Sequence, residues 1–214
     1  MINNGLLLTP RELYCLGGML NAKYIDYAYI AALDDIGQDF ELFKKETLSS
    51  LVSKGILMED FSGNIELDDE ISQLLKPIFF GSVETSLNIC LIGEELKVEI
   101  LNYHFFEDKV TLVKNQNNEL LVSRVDPELI LKTVEALLPD NYSAVSGQPI
   151  IDFDKTKVTR FFSAKSNDVG HMSQVKTYIE FNGVLCTEKE EAGLLSLSAE
   201  DFIKDVFNII KGAM

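Results

Sequence analysis

The feature that most constrains this chain is a pattern that occurs twice, 72 residues apart. Residues 126–134 (Asp-Pro-Glu-Leu-Ile-Leu-Lys-Thr-Val) align with residues 198–206 (Ser-Ala-Glu-Asp-Phe-Ile-Lys-Asp-Val). Each copy opens on a helix-capping side chain, Asp126 or Ser198, and carries an acid at the second helical position, where it meets the positive end of the helix dipole. The central Lys and the following Val coincide, and Leu137 and Leu138 fall on Ile209 and Ile210. Any two capped amphipathic helices share part of this pattern. The strand hairpins that precede both copies favour a degenerate repeat with pseudo-two-fold symmetry.

Around the repeat the periodicity changes along the chain. Residues 86–92, 96–104, 109–113 and 120–125 read as strands, several with alternation of period two, and Asn115, Gln116, Asn117 and Asn118 mark the turn between the last two. Helices follow at 128–138, ending at Pro139, and at 198–211; strands are expected at 175–181, 184–187 and 193–197. Residues 140–149 form a polar connector, and 150–173 carry no clear period.

The first 80 residues read differently. Thr9, Pro10 and Glu12 spell a capping box with proline at the first helical position, followed by the apolar face Leu13, Leu16, Met19 and Leu20. Residues 24–33 fit helix and strand equally well. A helix over 38–54 ends at Gly55, two short strands at 56–58 and 64–67 are joined at Phe61, Ser62 and Gly63, and a helix from Asp68 to about Leu75 is stopped near Pro77. Helix, helix and two-stranded wing give the outline of a winged helix. The expected division is a winged-helix-like part at 1–80 and a sheet-and-helix part at 81–214, with repeats at 81–139 and 150–214, in one compact domain.

Charge narrows the function. Acids outnumber bases 34 to 19, a net charge of −15, which opposes nucleic acid and anionic membrane surfaces as partners. The wing itself, residues 58–70, holds six acids and no base, so a DNA-reading winged-helix regulator is disfavoured. Cys15, Cys90 and Cys186 lie far apart in apolar segments without metal-ligand spacing and read as reduced core residues. The start MINNGLLLTP lacks the basic, apolar design of a signal peptide, and no apolar run reaches the ~18–20 residues that span a bilayer. The expected location is the cytoplasm, without membrane insertion.

No catalytic constellation is present. His104 sits among Tyr103, Phe105 and Phe106 as a structural residue, His171 lies in a polar Gly-His loop, and no nucleophile elbow, P-loop, dinucleotide or zinc motif occurs. Acid pairs read as solvated surface. Asp152 and Asp154 fit one strand face without the further ligands a metal needs. The expectation is a non-enzymatic protein with no cofactor and no metal.

The order of elements resembles the EspG family of type VII (ESX) secretion chaperones and their EsaE-like relatives. The residues that carry the resemblance are Leu8, Thr9, Pro10, Arg11, Glu12 and Leu13, then Lys54, Gly55, Ile56 and Leu57, then an acid-started helix ending at Pro77, and a helix closing on Leu137, Leu138 and Pro139. The resemblance covers nearly the whole chain and is weakest over 150–173. It implies an α+β fold with a central, mostly antiparallel sheet flanked by helices. It also implies a cytoplasmic chaperone that binds helical secreted substrates of the WXG100, LXG or PE/PPE kind, keeps them soluble and delivers them to the membrane secretion ATPase. Family contacts come from the sheet, an inter-strand loop and the C-terminal helices. The matching positions are Asn115, Gln116, Asn117 and Asn118, with Phe202, Val206, Phe207 and Ile210; Phe207, at the edge of the apolar stripe, is the best placed to face a partner. An acidic immunity or adaptor protein that binds a toxin is the alternative reading of the same charge and the same lack of chemistry.

Overall fold

The computed structural model describes residues 5–31, 33, 39–92, 95–168, 174–189 and 193–211. Its fold is α+β. Among the described residues, nine strands form one antiparallel sheet and two more form a separate ribbon, with six helices. In chain order the elements are β1 (Leu6–Leu8), α1 (Pro10–Met19), α2 (Tyr27–Ile30), α3 (Phe40–Ser53), β2 (Leu57–Glu59), β3 (Ile65–Leu67), α4 (Asp69–Phe80), β4 (Val83–Ile92), β5 (Leu96–Phe106), β6 (Lys109–Gln116), β7 (Glu119–Val125), α5 (Pro127–Glu135), β8 (Val158–Asp168), β9 (Gln174–Phe181), β10 (Val184–Lys189), β11 (Gly193–Ser196) and α6 (Ala199–Lys211). The sheet order is β1-β7-β6-β5-β4-β8-β9-β10-β11, with β2 and β3 paired apart from it. Contacts divide the chain into two units, residues 1–81 with 104–124, and residues 82–103 with 125–214.

In the first unit the capping box forms as its residues dictate. Thr9 Oγ1 accepts from the Glu12 N–H at 3.2 Å, and the Thr9 N–H donates to Glu12 Oε2 at 2.8 Å. Glu12 is buried, and its carboxylate also accepts from Lys54 Nζ and Ser50 Oγ, both at 2.7 Å, tying α1 to α3. Burial alone would raise the Glu12 pKa. The bonds from Lys54, the Thr9 N–H and Ser50 outweigh it and lower the pKa below the ordinary carboxylate value. Leu8, Leu13, Leu16, Leu51, Leu57, Leu75, Val113 and Val122 form the core beneath.

One open reading of this unit is resolved and one expectation is corrected. The undecided stretch 24–33 contains a single helical turn, capped by Asp26 onto the Ala28 N–H at 2.7 Å. The helix expected to stop before Pro77 runs on to Phe80. Proline removes one helical bond and crowds the preceding turn, at about 3 kcal/mol. Burial of Ile78 and Phe79 offsets that cost, and the Thr111 hydroxyl of β6 donates to the Leu74 carbonyl at 2.7 Å, tying the helix to the sheet.

In the second unit β8 is the strand the sequence left without a period. It pairs with β4 on one side (Leu87 with Ala164, Ile89 with Phe162) and with β9 on the other (Phe162 with Tyr178). Alternation puts Phe162 and Ala164 on a buried face. Helix α6 covers that face, with the Phe202 ring 6.1 Å from Phe162 and 5.1 Å from Tyr178, edge-on to the latter. Helix α5, capped by Asp126, is shorter than expected; it closes at Glu135 into tighter i→i+3 bonds from Leu137 to Val134 and from Leu138 to Glu135. Asp152 and Asp154 do not share a strand. Asp152 is left-handed at φ 58°, and Asp154 caps the short 3-10 turn Lys155–Lys157.

Candidate functional site: an exposed apolar hairpin and the closing helix

In the second unit, the facing ends of strands β4 and β5 carry a run of exposed apolar side chains. From Leu96 to Ile100 every residue of β5 is exposed, whereas Leu101 and Tyr103 are buried. The buried side of the strand lies under α5, where the Thr133 side chain bonds to Tyr103; desolvation pushes the Tyr103 hydroxyl up to about 12. By alternation, Leu96, Val98 and Ile100 point from the opposite face, 68%, 55% and 43% exposed. Leu91 and Ile92, at the end of β4, are exposed as well. Five aliphatic side chains at one end of a hairpin are held in place by backbone pairing and left open to water. That arrangement contributes nothing to the chain's own core and suits the apolar surface of a partner.

The residues expected from the sequence to form the site fall in both units. Asn115, Gln116, Asn117 and Asn118 are exposed at the β6–β7 turn of the first unit. Asn117 and Asn118 sit at φ 53° and 67°, the paired left-handed conformation that matches strand twist in a two-residue hairpin. Phe202, Val206, Phe207 and Ile210 lie on α6 in the second unit. Phe202 and Val206 are fully buried and Ile210 nearly so, packed within the chain. Phe207 is partly exposed. Lys176 of β9 pairs with Asp205, anchoring the helix's polar side.

The exposed hairpin was not among the residues singled out from the sequence. Leu96, Lys97, Val98, Glu99 and Ile100 alternate as a strand with one dry face should, and a sequence carries no sign of whether that face is dried by its own chain or by another.

Other chemistry is accounted for structurally. His104 is buried, with Tyr29 Oη 2.6 Å from its Nε2, and burial lowers its pKa to about 4, so the ring is neutral at physiological pH. Among the described residues no group of three or more His, Cys, Asp or Glu is arranged to hold a metal, and His171 lies outside those residues. Cys186 is buried and its thiol is pushed up to about 11 by desolvation, while Cys15 and Cys90 are half-buried. No helix among the described residues is long and apolar enough to cross a membrane.

No protein-family model and no curated protein sequence matches the chain. Among solved structures it is similar to the type VII secretion system chaperone EspG5 of Mycobacterium tuberculosis, determined in complex with the PE25–PPE41 dimer. The match covers 96% of this chain and 95% of that chain, with a TM-score of 0.59 and 7% sequence identity. At that identity the likeness is one of fold, and the fold of this chain is EspG-like.

Proposed function

We propose that this chain, with its EspG-like fold, is a non-enzymatic type VII secretion chaperone. It binds a helical secreted substrate of the WXG100, LXG or PE/PPE kind in the cytoplasm and keeps it soluble for delivery to the secretion ATPase. The observation that carries this reading is the near full-length likeness to a chaperone solved with its PE25–PPE41 dimer. The exposed hairpin end formed by Leu91, Ile92, Leu96, Val98 and Ile100 supports it. An amphipathic helical hairpin with an apolar tip loses exposed surface against such an arm, worth roughly 25 cal/mol per Å2 before the costs of association.

The β6–β7 turn Asn115–Asn118 offers exposed amides as a second, polar contact, and Phe207, like Ile203, is a partly exposed apolar side chain of α6. Phe202, Val206 and Ile210 act by holding α6 against the sheet. The test is affinity capture of the tagged protein from its native cytosol, followed by titration of the purified captured chain. A small helical secreted protein that binds the wild type and loses binding to Val98→Asp supports the reading. Recovery of only a toxin catalytic domain would replace it with the immunity-protein alternative.

A further inference from the structure

In the first unit, the β2–β3 ribbon ends in a turn fixed by one carboxylate. Asp60 Oδ1 accepts from the Ser62 N–H at 2.7 Å and the Asn64 N–H at 2.9 Å, and its Oδ2 accepts from Asn64 Nδ2 at 2.8 Å. The backbone closes the same turn, with the Asp60 N–H on the Asn64 carbonyl at 2.9 Å and the Gly63 N–H on the Asp60 carbonyl at 3.0 Å. Gly63 takes the left-handed conformation the turn requires, at φ 80°. At the top stands Phe61, 114% exposed, so its ring buries nothing against its own chain. Met58, opposite Glu66 in the ribbon, is exposed too.

The turn needs Asp60 and Gly63; it has no use for Phe61. Turn tips favour Asn, Asp, Ser, Gly and Pro, and an exposed ring there lowers solubility. A large aromatic left in water on a backbone turn that is fixed, where local preference and solubility both argue against it, has the character of an interface anchor: bulky, apolar and, with only two side-chain torsions, cheap to order. Its surroundings select the occupant. Glu59 and Glu66 are exposed on the ribbon below it, Asp60 is exposed in the turn itself, and residues 55–75 contain no Lys or Arg. That field repels nucleic acid, anionic lipid and the same tip on a second copy, and it attracts a cationic rim.

We propose that Phe61 is the anchor of a second docking point, which inserts into an apolar pocket bordered by Lys and Arg on a partner protein. This goes beyond the chaperone reading, since the tip belongs to a different unit from the apolar β4–β5 end and its chemistry calls for a basic partner. One molecule can hold its cargo at one place and be recognised by a second protein at another.

The experiment places the photo-crosslinking side chain p-benzoylphenylalanine at position 61 of the full chain in its native cells. The crosslinked protein is identified, purified and titrated against the wild type, Phe61→Ser and a Glu59→Lys/Glu66→Lys variant at low and high salt. The expected result is a crosslink inside a pocket flanked by Lys or Arg. The dissociation constant should rise at least tenfold for Phe61→Ser and severalfold for the charge variant and for added salt, while substrate binding through Val98 stays unchanged. Both variants keep Asp60 and Gly63, and circular dichroism verifies that the turn-bearing unit stays folded. A crosslink only to the secreted substrate, only to a second copy or to nothing would overturn the proposal, as would a crosslinked partner indifferent to Phe61→Ser. Loss of substrate binding by Val98→Asp is read separately, so either conclusion can fail alone.

Discussion

Tyr29 and His104, 75 residues apart in the chain, meet inside the first unit with 2.6 Å between the Tyr29 hydroxyl and His104 Nε2. Both are buried, and their rings lie 5.6 Å apart, tilted by 54°. With its proton on Nδ1 the neutral imidazole accepts the Tyr29 hydroxyl, so a one-turn helix too short to be stable alone is pinned to a strand. Removing the hydroxyl in Tyr29→Phe leaves a buried ring nitrogen without this partner. The expected loss is about 1–3 kcal/mol in urea unfolding.

The same pair sets a pH dependence. Burial holds the His104 pKa at about 4, below its unfolded value of ~6.5, so the unfolded chain binds a proton that the folded chain refuses. Stability from this group is full above pH 6.5, falls as the pH drops from about 6.5 to about 4, and falls no further below that. The total is about 3 kcal/mol. His104→Phe should flatten the melting temperature across that window relative to wild type; an unchanged slope would contradict the assignment.

Glu12 titrates in the same sense, although here the folded state holds the charged form. Its lowered pKa means that its stabilisation is present above the unfolded carboxylate value and is lost as the pH falls through the folded one. Glu12→Gln keeps the size but gives up the charge that Lys54, Ser50 and the Thr9 N–H share. We expect a loss of about 2–4 kcal/mol at pH 7, shrinking toward pH 3, in chemical denaturation curves.

On α6, two phenylalanines five residues apart should behave differently. Phe202 is fully buried between Phe162 and Tyr178, so Phe202→Ala should cost about 3–5 kcal/mol. Phe207 is partly exposed, so Phe207→Asp should leave a folded protein and be read in substrate binding instead. A Phe207→Asp protein that binds substrate as the wild type does would remove α6 from the contact surface.

Gly81 offers a test of packing rather than conformation. A Cβ there would lie 2.4 Å from the Pro77 carbonyl oxygen and 2.5 Å from that of Phe105, both backbone atoms that cannot swing aside. Gly81→Ala should destabilise by about 1–3 kcal/mol in thermal unfolding.

Local signals were legible where one residue type satisfies a nearby backbone group. Thr9 and Glu12 close their capping box, Asp126 caps α5, Ser198 caps α6, and Asn117 and Asn118 make the hairpin turn. The helix through Pro77 and the strand β8 were not legible. The first depends on Ile78 and Phe79 finding a core, the second on strands β4 and β9 flanking a stretch with weak alternation of its own.

By itself the sequence determined the caps, the turns, most strand and helix positions and the acidic charge, because these follow from bonds and charges within a few residues. It also showed an order of elements similar to the EspG family. Only the tertiary structure decided that Phe202, Val206 and Ile210 are spent on the chain's own core while Leu96, Val98, Ile100 and Phe61 are not. Apolar side chains look alike in a sequence whether their own fold covers them or leaves them for another molecule, and burial is a property of distant neighbours.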